Sequence, residues 1–336
     1  MSEYIADVYR SELIESRHRG NLAVVNPENK LKYFAGDPKN ITYIRSAAKP
    51  FQILPVINSG AADFFQFTKQ EIAVMSASHN GEEKHVQTVR NILDKIDVSE
   101  DKLSCGVHDP LYKKAAHKLY LDGEKASEIH NNCSGKHAAL LALCKFNDWD
   151  LDNYIYPDHP VQKLMLKTIS EITDTKQEEI FLGEDGCGVV VFGLPIQQMA
   201  YGYARLANSK FLPLEYREAA DRIIKSISDH PDMIAGTDRF NTDLIDVLGD
   251  KVTGKMGAEG VFCLALFDGP GICVKIEDGN SRAVPPVVID VLKKLGYINN
   301  EELKKLEKYE KPIVKNHHEH EVGYVKSILN LKKEVE

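Results

Sequence analysis

The two ends of this chain are written in one pattern and its middle in another. Near the N-terminus, "SELIESRHRGNLAVVNPENKLKYFAGD" reads as two or three strands joined by turns, with "NPENK" as the hairpin signal. Near the C-terminus, "EGVFCLALFDGPGICVKIEDG" reads as two apolar strands around a "DGPG" turn. Between them, apolar residues recur at three- and four-residue spacing over 69–95, 134–146, 160–173 and 215–229, which is the periodicity of helices. Beyond the second strand pair, "PPVVIDVLKKLGY" is an amphipathic helix stopped by Gly296, and "EELKKLEKYEK" is a solvated one. Strands need partners, so strand-rich termini around a helical middle predict one mixed, largely antiparallel sheet built from both ends of the chain. The class is α/β in the α+β sense, with a sheet layer from about 1–45 and 255–330 and a mostly helical layer over about 46–250. No repeat, low-complexity tract or Gly/Ser linker interrupts the 336 residues, so 1–336 reads as a single unit.

Composition narrows the class of function. The chain is 43% hydrophobic and 27% charged, the balance of an ordinary globular protein. Its 42 basic and 50 acidic residues give a formal charge of -8, with no basic block or aromatic-basic interleave to suit nucleic acid. The N-terminal "MSEYIADVYRSELIESRHRG" has no apolar core of a signal peptide, and apolar runs such as "GVFCLALF" are too short to span a bilayer. The expectation is a cytoplasmic protein acting on a small molecule, with no nucleic-acid or membrane partner. In a reducing compartment, six cysteines point to core, metal or catalytic positions rather than to a disulfide framework.

"RSAAKPFQ" places Ser46 three residues before Lys49. Such a pair is ordinarily two residues on one helix face, but Pro50 is tolerated only in a first helical turn, which sets the helix start near Ser46. Ser46 then lies where free backbone N–H groups favour a developing oxyanion, with Lys49 one turn along. Pro55 must kink that helix or cost it a bond. Downstream, "SASHNG" supplies Ser78-His79-Asn80 and "GKMG" supplies Lys255-Met256-Gly257 just before a strand. S-x-x-K, S-x-N and K-x-G in this order resemble the penicillin-recognising serine enzymes. Two details depart from that pattern: Met256 stands where threonine is usual, and the two serines are only 32 residues apart. A serine hydroxyl needs a base, and a lysine is one only when neutral. Burial, or a second ammonium nearby, would have to lower it from about 10.4. Ser46 with Lys49 and Ser78 with Lys255 thus form two candidate Ser-Lys pairs, with Lys251 competing for the last position.

"NNCSGKHAALLAL" and "GEDGCGVVVFGLP" place Cys133 and Cys187 at Gly-rich turns among polar neighbours. Two thiolates suit a soft metal such as zinc, with His137 or Lys136 near, although no C-x-x-C is present. Asp185 could cap a turn or hold a ligand. Cys105, Cys144, Cys263 and Cys273 read as small core residues. "KNHHEHE" reads as a solvated run before an edge strand, "VGYVKSIL".

With "RSAAKPFQ", "SASHNGE", "NNCSGKHAALL", "DGCGVVVFGLP", "KMGAEGVFCLAL" and "EDGNSRAVPP" in order over residues 10–330, the sequence resembles the asparaginase II family, the rhizobial-type (class 3) L-asparaginases. The resemblance implies a fold like serine β-lactamases and glutaminases, a homodimer, and hydrolysis of L-asparagine to L-aspartate and ammonia. It implies Ser46, Lys49, Ser78 and Lys255 as catalytic residues and zinc on Cys133, Lys136 and Cys187, supporting affinity more than chemistry. It also implies Arg45, Asn80, His137 and Asp185 as the substrate pocket. Two rivals remain: a β-lactamase- or peptidase-like serine hydrolase, and a non-catalytic, zinc-stabilised amino-acid-binding protein.

Overall fold

In a computed structural model, which describes residues 1–334, the strand-forming ends of the chain meet in one nine-stranded sheet. Its order is Ile313–Lys315, Glu321–Ser327, Glu3–Arg10, Leu13–Val25, Gly271–Ile276, Val261–Leu266 and Val252–Gly257. Leu31–Ala35 also pairs with the long Leu13–Val25 strand, and Lys332–Lys333 lies beyond it. Every pairing in this sheet is antiparallel. Both hairpins read from the sequence form. Asn26 closes the first by accepting the Lys30 N–H at 2.7 Å, and Gly271 opens the return strand of the second. One expectation is overturned: "VGYVKSIL" is not an edge. Glu321–Ser327 pairs on both sides, and the edge is the three-residue Ile313–Lys315, too short to leave a periodic signal.

The chain divides into two units, one formed by Met1–Ala47, Leu194–Asn208 and Asp243–Glu336, the other by Ala48–Gly193 and Ser209–Thr242. The first holds the sheet. Val261–Leu266 is buried at all six positions, as a strand must be when both faces are covered. Helix Ile196–Ala207 packs on that strand and on Gly271–Ile276. A Cβ on Gly271 would lie 1.9 Å from the Ala200 carbonyl oxygen, so only glycine lets the helix backbone rest directly on the strand.

The second unit is helical around Ser134–Phe146, which is buried at every position from Ser134 to Cys144. A helix apolar all round belongs at a centre, and "AALLALC" is such a sequence. Gly135 admits the neighbouring helix Lys69–Met75, because a Cβ there would sit 2.2 Å from the Val74 carbonyl oxygen. The periodic stretch 69–95 is two helices, Lys69–Met75 and Glu83–Lys95, with "SASHNGE" as the loop between them. Pro160–Thr173 and Leu214–Asp229 match their expected helices closely. The run after Arg45 differs from a plain helix. It is a 3₁₀ turn, Arg45–Ala48, followed by Lys49–Gln52 and, after a break at Ile53, Leu54–Asn58. Pro50 and Pro55 each stand in a first turn, where a missing N–H costs nothing. The expected stretch also contains a hairpin, Phe181–Glu184 with Val190–Pro195, whose turn is "DGCG". No helix among the described residues is long and apolar enough to cross a membrane.

Candidate active site

The boundary between the units falls between Ala47 and Ala48, so Arg45 and Ser46 belong with the sheet and Lys49 with the helices. In the sheet unit, Arg45 has φ +53°, a left-handed conformation uncommon for a residue with a side chain. The 44–47 backbone lies against the strand that carries Lys255. A Cβ on Gly257 would meet the Ile44 carbonyl oxygen at 2.9 Å and the Ala47 nitrogen at 3.4 Å, which gives the K-x-G glycine its physical reason. Tyr203 fixes the end of the turn by donating to the Ala47 carbonyl at 2.7 Å. Lys255 is wholly buried, and its Nζ donates to the Met256 carbonyl at 2.7 Å. Lys251, its competitor by sequence, is ion-paired with Glu302.

In the helical unit, Lys49 is buried and joins two expected groups. Its Nζ lies 3.1 Å from Ser78 Oγ and 3.3 Å from Cys133 Sγ, and it donates to the Ala77 carbonyl. Cys133 and Cys187 share a hydrogen bond, and Lys136 Nζ donates to Cys187 Sγ at 3.0 Å. Ser78, Lys49, Cys133, Cys187 and Lys136 thus form one chain of polar contacts, with Asn132 beside it. The Cys133 hydrogen bond and the Lys136 ammonium lower Cys187 to about 5, against the opposing effect of burial. The same hydrogen bond and burial push Cys133 up to about 12. Burial works to lower Lys136, but the sulfurs of Cys187 and Cys133 and the Asp185 carboxylate outweigh it and raise it. Cys187 is thus the more acidic of the two sulfurs, and Lys136 is held protonated beside it. Asp185 holds its own turn as well, since its side chain accepts the Gly186 N–H at 2.9 Å.

Each motif loop is tied from behind. The Ser78 N–H bonds the Ile234 carbonyl at 3.0 Å, and Glu82 accepts from the Thr237 N–H and hydroxyl at 2.7 and 2.8 Å. Gly236, at φ +107°, has to be glycine, because a Cβ there would lie 2.3 Å from Asn80 Oδ1. His79 Nδ1 accepts the Gly81 N–H at 3.2 Å, so its Nε2 carries the proton toward Ser134 Oγ at 2.9 Å. Ser134 passes the chain on to the Ile129 carbonyl at 2.8 Å. Asn131 accepts the Cys133 N–H at 2.8 Å and donates to the carbonyls of Cys105 and Gly106. His137 is buried on the first turn of the central helix, and burial holds it well below its usual range.

Two buried polar atoms of the expected substrate residues, Asn80 Oδ1 and His137 Nε2, have no hydrogen-bond partner. Groups of this kind are rare in native interiors and mark places where something else is bound or held. Sequence reasoning assigned no role to His79, which is quoted in its motif, or to Tyr154, whose hydroxyl lies 2.7 Å from His137 Nδ1. Nothing local separates Tyr154 from Tyr156, yet the first is fully buried and the second 57% exposed.

The donor types suit zinc, two sulfurs and a lysine nitrogen, although Lys136 is held protonated and must shed its proton to bind. Among the described residues no three His, Cys, Asp or Glu side chains gather as a metal cage, so a metal here would depend on the lysine.

The family to which the sequence belongs makes this chain an amidohydrolase. The family model for L-asparaginase II matches residues 6–327, and the chain belongs to that family. No curated protein matches the sequence. Solved structures of Mglu are similar at 14% identity over 83% of this chain and 67% of theirs, with a TM-score of 0.38. Mglu in 4.3 M NaCl gives 14% over 85% and 63%, with a TM-score of 0.40. The probable glutaminase ybaS gives 14% over 83% and 86%, with a TM-score of 0.39. The chain thus spans about two thirds of the Mglu chains or slightly less. Likeness at this level carries no argument about chemistry; family membership does.

Proposed function

We propose that this protein hydrolyses the side-chain amide of L-asparagine to L-aspartate and ammonia through Ser-Lys nucleophilic catalysis. Membership of the L-asparaginase II family supports the substrate. The observation that supports Ser-Lys chemistry is a buried lysine, Lys49, with the Ser78 hydroxyl 3.1 Å from its Nζ. In this reading Ser46 Oγ attacks the amide carbon while Lys49 takes its proton. The C–N bond then breaks, ammonia leaves with that proton, and water hydrolyses the ester formed on the serine. Backbone N–H groups, one of them from Ser46, hold the oxyanion. Ser78 and Lys255 act as the second pair, and Arg45, Asn80, His137 and Asp185 orient the amino acid. One observation favours a variant of this scheme: the hydroxyl measured beside Lys49 is that of Ser78, which makes Ser78 the alternative nucleophile with Lys49 as its base.

Cys133, Lys136 and Cys187 would hold zinc. When bound, the ion would supply a Lewis-acidic position and tie the two Gly-rich turns together. We further propose a cytoplasmic homodimer. A coupled ammonia assay across L-asparagine, L-glutamine and β-aspartyl peptides tests the central reading, with L-asparagine expected to be clearly preferred. Equal or greater turnover of L-glutamine would sink the substrate while sparing the chemistry. Amino-acid binding without ammonia release would leave the non-catalytic rival, and a colour change with a chromogenic cephalosporin would favour the β-lactamase-like one.

A further inference from the structure

Tyr154 has no place in the scheme above, yet its phenol is committed on both sides. Its oxygen accepts the Ser104 N–H at 2.9 Å and lies 2.7 Å from His137 Nδ1, with the two rings edge to face at 5.6 Å. Tyr154 is itself fully buried, and Gln162 holds its backbone by donating to the Tyr154 carbonyl at 2.8 Å. A phenol that accepts an amide proton has one proton left to give. His137 Nδ1 lies at 2.7 Å and the Ser104 side chain is the phenol's other partner; a proton given to Nδ1 places the imidazole proton on Nε2. The other tautomer would aim two donors, the Ser104 N–H and an Nδ1–H, at one phenol oxygen and turn the phenol proton toward the Ser104 side chain. Nδ1 is therefore occupied, and Nε2 is a donor, buried and without a partner.

We propose that Tyr154 is a positioning residue that locks His137 as a neutral Nε2–H donor. The imidazole is thereby reserved for an acceptor oxygen of the bound amino acid, and barred from acting as a base or as a metal ligand. Neither ring nitrogen has a free lone pair, so the metal-binding role falls to Lys136 one residue away. The inferred ligand group is a carboxylate or carbonyl oxygen. An ammonium has no lone pair to offer and would be refused at this point.

The part of this inference that concerns substrate rests on the asparaginase reading, whereas the tautomer does not. The experiment therefore begins with ¹⁵N NMR of histidine-labelled protein, which reports the tautomer without any turnover. The wild type is expected to show His137 protonated at Nε2 alone, and Tyr154→Phe to show a mixed or reversed tautomer with the fold intact by circular dichroism. Kinetics with L-asparagine should then show KM raised about tenfold in Tyr154→Phe with kcat changed by less than about threefold, the signature of lost uniform binding. His137→Gln, which can still present an N–H, should bind more tightly than His137→Leu; this comparison also serves if Tyr154→Phe fails to fold. A wild-type His137 protonated at Nδ1, or a Tyr154→Phe protein with unchanged tautomer and KM, or equal KM values in the two His137 variants, would overturn the proposal. Absence of asparagine turnover in the wild type would instead overturn the asparaginase reading, and the tautomer result would stand.

Discussion

The sheet unit and the helical unit bury polar groups in different ways. In the sheet unit, backbone amides are consumed by antiparallel ladders, and few polar side chains are enclosed: Asp7, His18, Asn21, Arg205, Asn208, Thr253 and Lys255. Most of the buried polar side chains of the molecule lie in the helical unit, among them His79, His85, His130, His137 and His159. A repeated device explains how they are tolerated. His79, His85, His130 and His159 each accept a nearby backbone N–H at Nδ1, from Gly81, Glu82, Ser127 and Val161 at 3.1–3.2 Å. Histidine does here what serine or aspartate does at an ordinary cap, holding short irregular loops without adding an anion. The comparison teaches that a ladder gives stability cheaply, whereas polar loops that present reactive groups need a dedicated partner for every donor and acceptor.

The largest expected effects test where the chemistry lies. Ser46→Ala and Lys49→Ala should each lose about 10³-fold or more in kcat, and the double variant should lose little more, because residues acting as one unit are not additive. Ser78→Ala should also be severe. Ser46→Ala losing tenfold or less in a folded protein, with Ser78→Ala inactive, would move the nucleophile from the sheet unit to the helical one.

Next come two glycines, one inside each unit, that let a neighbouring element of the same unit approach closely. Gly135→Ala and Gly271→Ala each drive a Cβ into backbone oxygen, at 2.2 and 1.9 Å, and should destabilise the protein by about 1–3 kcal/mol or more. The consequences should differ. Gly135→Ala displaces the turn that carries Cys133, Lys136 and His137, so zinc uptake and KM should suffer with stability, whereas Gly271→Ala should lower Tm and leave zinc uptake nearly intact. Equal loss of zinc in both variants, measured by elemental analysis at a temperature where both are folded, would break the contrast.

Zinc itself gives the third test. Cys133→Ala and Cys187→Ala should abolish binding, and affinity should fall as pH is lowered, because thiol and amine ligands must shed protons to bind. Chelation should weaken substrate binding more than turnover. Less than about a tenth of an equivalent of zinc after addition, unchanged by either substitution, would reduce both cysteines to turn residues.

The smallest expected effect is acid sensitivity. Burial, aided by neighbouring cationic groups, holds His79 well below its usual range, and burial lowers His85 and His130 as well. The unfolded chain then binds more protons than the native one once pH drops through about 6.5, so stability is lost from there down to the lowered native values. Protonating His79 Nδ1 would also break its bond to the Gly81 N–H. Hydrogen exchange should therefore show the helical unit opening before the sheet as pH falls from 7 to 5. His79→Gln should flatten that pH dependence, even if it costs stability at pH 7. An unchanged slope would remove His79 as a contributor.

Much of this was legible in the sequence because it is local. "NPENK" and "DGPG" dictate their hairpins through turn chemistry, and Pro50 marks a first turn because a missing N–H is harmless only there, whereas Pro55, expected to kink that helix, begins a new one. The helix over 134–146 was legible from its apolar spacing, while its central, fully buried place came with the structure. The three-residue edge strand Ile313–Lys315 left no period to read, so its neighbour was mistaken for the edge. Only the tertiary structure brought Ser78 Oγ to within 3.1 Å of Lys49 Nζ across 29 residues, buried Tyr154 while exposing Tyr156, and made Cys187 more acidic than Cys133. The physical reason is common to all three. Spacing along a chain fixes which face of an element a side chain occupies, but hydrogen-bond partners and charge states depend on what lies within about 4 Å in space.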